Sequence, residues 1–156
     1  MSINRLGLIL IVPLLMSGCV VKKKPVVSTY VVTTPDRVTV LRNDFEKNVG
    51  NKIYYGFNSY VLSEEAKSHL RRQAEWLVKH PSVTINIDGH CDKTGDKNYN
   101  LALGLKRAEA AKKFLVAHGV DASRITVSST GKDWQDGISY NESWQGRFVT
   151  VIILSA

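Results

Sequence analysis

The chain has 156 residues, a usual length for one domain, and its 21 Lys and Arg against 14 Asp and Glu give a formal net charge of +7. Its 44% hydrophobic and 22% charged residues exclude a wholly disordered chain, and it lacks the apolar runs of about 18–20 residues that a polytopic membrane protein needs. Two cysteines are too few for a disulfide scaffold, and the positive charge indicates an anionic partner without identifying it.

Residues 1–18 are predicted to be a targeting segment. One positive charge, Arg5, precedes an apolar stretch over residues 6–16, and small residues follow up to Cys19. The eleven apolar residues would extend about 16 Å as a helix, roughly half of a hydrocarbon core, which suits a secretory signal better than a membrane span. An ordinary signal peptide, or a buried apolar helix with a chance cysteine, is the alternative.

The residues around Cys19 resemble the lipobox of bacterial lipoproteins, although Met16 stands where leucine is more usual. The resemblance implies that Cys19 is acylated and becomes the first residue of the mature chain, and several acyl chains would anchor it firmly. Val20 stands where an aspartate would resemble an inner-membrane retention signal. We therefore expect a lipid anchor in the outer membrane, with the chain facing the periplasm.

Residues 19–43 are predicted to be the lipidated N-terminus and a semi-extended tether. Pro25 and Pro35 interrupt a segment rich in valine, serine and threonine, and the segment has no helical period. Residues 44–156 are predicted to form the folded domain, which is long enough to bury its own core.

Alternating strand and helix patterns follow along the domain. The elements are a short strand at 52–57, a helix capped by Ser63 and ending before Pro81, a strand at 83–87, a helix at 98–118, and strands at 124–130 and 147–154. In the second helix, Leu101, Leu105 and Ala108 are expected to face the sheet. The order predicts an α/β (α+β) fold, a two-layer β-α-β-α-β-β sandwich in which the first three strands pair in parallel and both helices cover one face.

The polar loop at residues 89–96 is the strongest candidate for a site, because it joins the end of a buried strand to the start of a helix. Asp92 supplies a carboxylate there, and Asn100 and Arg107 share one side of the following helix. An acid and a guanidinium that converge on one pocket suit an amino-acid zwitterion, whose ammonium pairs with the acid and whose carboxylate pairs with the arginine. The alternative is that Asp92 caps the helix and Arg107 is a solvated surface charge.

These residues belong to a longer pattern that resembles the OmpA-like peptidoglycan-binding domain, close to its peptidoglycan-associated lipoproteins. The pattern runs from Gly89-His90-Cys91-Asp92 through Gly95, Tyr99-Asn100 and Leu103 to Arg107-Ala108, and the likeness covers about residues 50–154. The resemblance implies the OmpA C-terminal-like fold and binding of the diaminopimelate in the stem peptide of peptidoglycan. It implies that Asp92 holds the amine, that Arg107 holds the carboxylate, and that Asn100 contributes.

The chain departs from that family pattern at two places. Gly56, beside Phe57, replaces an acid of the first strand, and Gln145-Gly146-Arg147 stands where the family has Asn-Arg-Arg. The resemblance implies that Gly56, Phe57 and Arg147 belong to the binding site. The Gly56 change is mild if that residue contributes backbone contacts, and the loss of one arginine affects affinity or preference among stem peptides.

The function expected from this resemblance is an outer-membrane lipoprotein that binds peptidoglycan non-covalently and tethers the membrane or an envelope complex to the cell wall, with no catalytic residues, no metal and no cofactor. The alternatives are a wall anchor within a secretion, pilus or other trans-envelope apparatus, or a thiol- or metal-dependent periplasmic enzyme. Adjacent residues on a strand face opposite ways, so His90, Cys91 and Asp92 do not converge on a metal, and a buried inert Cys91 is expected. Nucleic acid is not expected as a partner, since the basic residues lack a recognised module.

Overall fold

The computed structural model describes residues 36–133 and 143–156, without the side chains of residues 143 and 144. The targeting segment, the lipobox and most of the tether therefore lie outside the described residues. The described elements are helix α1 (Arg37–Asp44, continued by a π-helical turn, Phe45–Val49), strand β1 (Lys52–Tyr54), helix α2 (Glu64–Lys79), strand β2 (Thr84–His90), helix α3 (Lys97–Ala117), strand β3 (Ile125–Gly131) and strand β4 (Phe148–Ser155). Short 3-10 turns precede β3 and β4, at Ala122–Arg124 and Ser143–Gly146.

The predicted mixed fold is confirmed, with a strand order of β1-β4-β2-β3 in one four-stranded sheet. The prediction that the first three strands pair in parallel is wrong, because β4 lies between β1 and β2 and is antiparallel to both. Only β2 and β3 form a parallel pair. The apolar pattern of β4 gives a physical reason for its central place: Val149, Val151 and Ile153 point into the core.

One apolar cluster holds the sheet and the helices together. The inward residues of β2 and β4, such as Ile87 and Val151, share this cluster with Leu70 of α2 and Leu115 of α3. Both helices therefore cover the same face of the sheet, as expected from the right-handed connections.

The core-facing side of α3 differs in part from the predicted one. Ala108 is buried, as predicted, but Leu105 is exposed and Leu101 is half-buried, and Gly104 is buried instead. A Cβ atom on Gly89 of β2 would lie 1.9 Å from the carbonyl oxygen of Gly104, so the backbones of β2 and α3 nearly touch. Only small residues fit where the two backbones approach each other. Helix α3 is therefore turned so that Leu101 and Leu105 face away from the sheet.

Helix α1 lies in the segment that the sequence pattern assigns to an extended tether, and for residues 37–43 that assignment is wrong. Asp36 caps the helix through a hydrogen bond from the Thr39 amide at 2.7 Å. Val38 and Leu41 pack against the core, and Arg42 donates to the Ile153 carbonyl at 3.1 Å. The buried contacts of the domain therefore include residues before position 44.

Candidate functional site

The loop between β2 and α3 is fixed by hydrogen bonds at both ends. The Cys91 amide donates to the Gly131 carbonyl at 2.7 Å. At the other end Asp96 caps α3, since its carboxylate accepts from the Tyr99 amide at 3.0 Å. This hydrogen bond lowers the pKa of Asp96. The helix cap is therefore Asp96, so the alternative interpretation of Asp92 as the cap is wrong.

A cavity of about 200 Å³ opens beside this loop. Five of the six predicted site residues belong to its wall, and the backbone of the sixth, Gly56, contacts Arg107. The lining residues are Phe57, Asn58, Cys91, Asp92, Thr94, Gly95, Tyr99, Asn100, Leu103, Arg107 and Arg147. The fold thus brings together residues that are up to 90 positions apart in the sequence.

Asp92 is held in place within the cavity wall. One carboxylate oxygen, Oδ1, accepts hydrogen bonds from the Thr94 amide at 3.1 Å and from the Thr94 hydroxyl. The other, Oδ2, lies 3.4 Å from Nη1 of Arg147. The side chains of Asp92 and Arg147 are only 12% and 14% exposed, so this ion pair is partly shielded from water.

Arg107 is the most deeply buried charge of the cavity, at 1% exposure, so the alternative of a solvated surface charge is wrong. Its Nε donates to the Ser59 carbonyl at 2.8 Å, Nη1 to the His90 carbonyl at 2.8 Å, and Nη2 to the Gly56 carbonyl at 3.2 Å. Burial lowers the pKa of Arg107, but a guanidinium has so high an ordinary pKa that it stays charged.

The guanidinium of Arg107 also contacts the thiol of Cys91, with Nη1 and Sγ 3.4 Å apart. These contacts with described residues occupy four of its five N–H groups. The remaining N–H belongs to Nη2, and Arg107 lines the cavity. One donor thus stays available for a carboxylate oxygen.

Gly56 and Phe57 contribute in different ways. Gly56 acts through its carbonyl, which any residue at that position would also present, so the replacement of an acid keeps this contact. Phe57 is 74% exposed and forms the rim, with its ring centre 5.9 Å from the guanidinium carbon of Arg147. An exposed aromatic ring beside a charged cavity offers an apolar contact to a ligand.

Asn100 organises the loop through its side-chain amide. Its Nδ2 donates to the Thr94 carbonyl at 2.7 Å and to the Asp96 carbonyl at 3.0 Å, and the residue is buried. Both N–H groups of that amide are used inside the loop, so Nδ2 has no donor to spare for a ligand.

Sequence reasoning did not predict three contacts that support the site. Thr94 fixes Asp92, and its position two residues later is typical of an Asx turn, which was a usable signal. The Tyr99 hydroxyl donates to Oδ1 of Asn58, a residue with a positive φ of 47°. A Cβ atom on Gly146 would lie 2.9 Å from Cα of Asp92, so the turn before β4 packs directly on the loop.

Cys91 is buried, as predicted, and burial raises the pKa of its thiol. The Sγ–H donates to the Asn100 carbonyl at 3.3 Å. Among the described residues, no three His, Cys, Asp or Glu side chains are placed to hold a metal ion. Within the same residues, no helix has the length and apolar character needed to cross a membrane.

The family model for the OmpA family matches residues 54–150, which is more than half of the chain and includes every candidate site residue. The chain belongs to the OmpA family. Its relatives in this family include a peptidoglycan-associated lipoprotein of Mesorhizobium japonicum, 35% identical over 136 residues, a match that covers 83% of this chain and 79% of the relative. Another, from Agrobacterium fabrum, is 42% identical over 92 residues, 59% of this chain and 52% of that protein. The chain thus matches about half the length of some of its curated OmpA-family relatives.

Solved structures agree with this OmpA-family fold. A crystal structure of the peptidoglycan-associated lipoprotein from Burkholderia pseudomallei superposes with a TM-score of 0.64 at 32% identity, over 70% of this chain and 96% of that one. The periplasmic domain of Helicobacter pylori MotB gives a TM-score of 0.56 at 20% identity, over 66% and 70% of the two chains, which is evidence for the shared fold alone.

Proposed function

We propose that this protein binds the diaminopimelate of uncrosslinked peptidoglycan stem peptides in the cavity beside the β2–α3 loop. The free end of that residue carries one ammonium and one carboxylate. The observation that supports the proposal is the wall of the cavity, in which one shielded carboxylate and two guanidiniums face the same space of about 200 Å³. Charge-assisted contacts of this kind are the strong and directional ones.

In this proposal Asp92 receives the ammonium, and the guanidiniums receive carboxylate oxygens. Arg107 supplies the N–H of Nη2 that its contacts with the protein leave unused, and Arg147 supplies the second guanidinium of the cavity wall. Phe57 covers the apolar stem of the ligand at the rim, while Asn100 keeps the loop in shape. The function is therefore binding, with no reaction assigned to any of these groups.

The wider role that we propose is an outer-membrane lipoprotein facing the periplasm, anchored through Cys19, whose domain holds the cell wall. The names of the relatives support it, since several are peptidoglycan-associated lipoproteins, and so does the resemblance of residues 15–19 to a lipobox. An envelope complex is a further partner in this role. Replacement of Cys19 by serine is expected to release the protein from the membrane fraction.

A sedimentation assay with purified sacculi tests the proposed function. The unchanged protein, purified in detergent, is expected to pellet with the sacculi, and Asp92→Asn is expected to stay largely in the supernatant because its uncharged amide no longer attracts an ammonium. Asp121→Asn is the matched control, since Asp121 is an exposed acid that caps the turn before β3, outside the cavity. Equal pelleting of the two variants would contradict the site assignment.

A further inference from the structure

A groove with a volume of about 530 Å³ lies beside the binding cavity and is built from the same two parts of the chain. The segment after β1 contributes Phe57 to the cavity, and it contributes Tyr60 and Val61 to the groove. Helix α3 contributes Arg107 to the cavity and the preceding residue, Lys106, to the groove. The cavity and the groove are therefore neighbours on one surface of the domain.

The segment that the cavity and the groove share is fixed to α3. Nε of Arg107 donates to the Ser59 carbonyl at 2.8 Å, and the Val61 amide donates to the hydroxyl of Ser59 at 3.0 Å. The rise between Arg107 and Lys106 is only about 1.5 Å along the helix axis. When one residue of a stem peptide occupies the cavity, the residue next to it therefore comes within reach of the long Lys106 side chain.

The groove offers apolar surface and a cation together. Tyr60 is 48% exposed and Val61 is 72% exposed, and exposed apolar residues that lie together are typical of interaction sites. Nζ of Lys106 lies 5.6 Å from the centre of the Tyr60 ring. A ligand group with a short apolar stem and a negative charge matches this surface.

The charges that line the groove favour an anion. Its described wall contains the three cations Lys67, Lys106 and Lys113 and a single acid, Glu109. Lys67 is already paired with Glu64, at 2.7 Å, whereas Lys106 and Lys113 form no ion pair with any described residue. Lys106 adjoins the cavity, and Lys113 starts about 10 Å farther along the helix. The cation closest to a bound stem peptide is therefore Lys106.

We infer that the groove is a second subsite for the stem peptide, in which Lys106 binds the free carboxylate of the residue that precedes diaminopimelate. This inference rests on the proposed function. The preceding residue is a glutamate that is joined to diaminopimelate through its side-chain carboxyl, so its α-carboxylate stays free and charged. Its methylene groups lie against Tyr60 and Val61 while the carboxylate meets the ammonium of Lys106.

The test compares two synthetic γ-glutamyl-diaminopimelate dipeptides, one with the α-carboxylate of the glutamate free and one with it converted to an amide. Affinities for the full chain in detergent are measured by isothermal titration calorimetry. We expect the free acid to bind about threefold to fivefold more tightly than the amide, the upper range for an ion pair at a protein surface. Equal affinities of the unchanged protein for the two dipeptides would overturn the inference.

Variants of the two groove lysines test whether this preference comes from a local contact. Lys106→Gln is expected to abolish the preference, and Lys106→Arg to keep it, since the charge remains. Lys113→Gln is the matched control, because it removes the same charge from the same groove farther from the cavity, and it should keep the preference. If both glutamine variants lose it to the same degree, general charge attraction explains the preference and the inference is wrong.

Free diaminopimelate separates the inference from the proposed function. Its affinity should be the same for Lys106→Gln and for the unchanged protein, because it has no group that reaches the groove. A loss of that affinity in a folded Lys106→Gln variant, as shown by a thermal melt, would place the effect in the cavity and overturn the inference. If the unchanged protein binds neither dipeptide nor free diaminopimelate, the proposed function itself is wrong.

Discussion

At the scale of single residues, the site depends on groups that differ in how strongly the fold holds them. Arg107 is buried among backbone carbonyls, while Arg147 and Asp92 form an ion pair in the cavity wall. A residue can therefore belong to the site and also support the structure. Replacement of such a residue is expected to lower stability as well as affinity, because loss of a buried donor leaves carbonyls without a hydrogen-bond partner.

Arg107 is predicted to be essential for stability as well as for binding. Arg107→Met removes the donors to the carbonyls of Ser59, His90 and Gly56, and we expect the free energy of unfolding to fall by about 3 kcal/mol or more. Urea denaturation measures this. Arg71→Met, on the exposed side of α2, is the control and should change stability by less than about 0.5 kcal/mol. An Arg107 variant as stable as the control would contradict the role of these contacts.

Gly146 is predicted to set the position of Asp92. In Gly146→Ala the new Cβ would meet Cα of Asp92 at 2.9 Å, so either the loop or the turn before β4 must move. We expect affinity for a diaminopimelate stem peptide to fall about fivefold or more, the equivalent of the lower range of overpacking costs.

The matched control for that substitution is Gly56→Ala. Its Cβ would lie 3.7 Å from the nearest atom, Cβ of Ser59, and the carbonyl that accepts from Arg107 is unchanged. Its affinity should equal that of the unchanged protein. If the two alanine variants bind equally well, close packing at Gly146 does not position Asp92.

At the scale of secondary-structure elements, α1 is a part of the domain that the sequence pattern did not predict. Its end is joined to α2, because the indole Nε1 of Trp76 donates to Oδ2 of Asp44 at 2.7 Å. This hydrogen bond lowers the pKa of Asp44. Phe45, 1% exposed, packs edge-on against Trp76 with ring centres 5.0 Å apart.

These contacts predict that the segment before β1 contributes to folding. Phe45→Ala is expected to lower the free energy of unfolding by about 3–5 kcal/mol, as for other buried phenylalanines. Val40→Ala, in the same segment but 49% exposed, should cost far less. Chemical denaturation of both variants checks this. Similar losses for the two variants would show that α1 and its π-helical turn do not dock as described.

Prediction from the sequence succeeded where a pattern is local. Strong periodicity and the Ser63 cap located α2, and the alternation of Val83, Ile85 and Ile87 located β2. The prediction failed where contacts between residues far apart in the sequence determine the structure. The pairing of β4 between β1 and β2, and the contact of Gly104 with Gly89 that turns Leu105 outward, depend on residues far apart in the chain.

The candidate site followed the same rule. Asp92, Asn100 and Arg107 could be assigned from spacing and from the family resemblance, and all three line one cavity. The ion pair between Asp92 and Arg147 could not, because 55 positions separate the two residues and only the sheet brings them together. Likewise, Arg107 donates to carbonyls of the segment after β1. The spacing of residues along α3 could not predict this contact with another part of the chain.

At the scale of the whole molecule, the net charge of +7 is expected to contribute little to recognition. The mature chain that the lipobox implies would lose one base, Arg5, and carry +6. Recognition is instead assigned to three charges in a cavity of about 200 Å³. Binding should therefore depend on the chemistry of the ligand rather than on its overall negative charge.

The most direct measurement compares affinity for two stem peptides that differ at one residue, with diaminopimelate in one and lysine in the other. Lysine keeps the ammonium but lacks the carboxylate beside it. We expect clear binding of the diaminopimelate peptide by the full chain, at least about tenfold weaker binding of the lysine peptide, and weaker binding of both peptides by Asp92→Asn, which loses the contact with the ammonium that the two share. Equal affinity of the unchanged protein for both peptides would contradict this expectation.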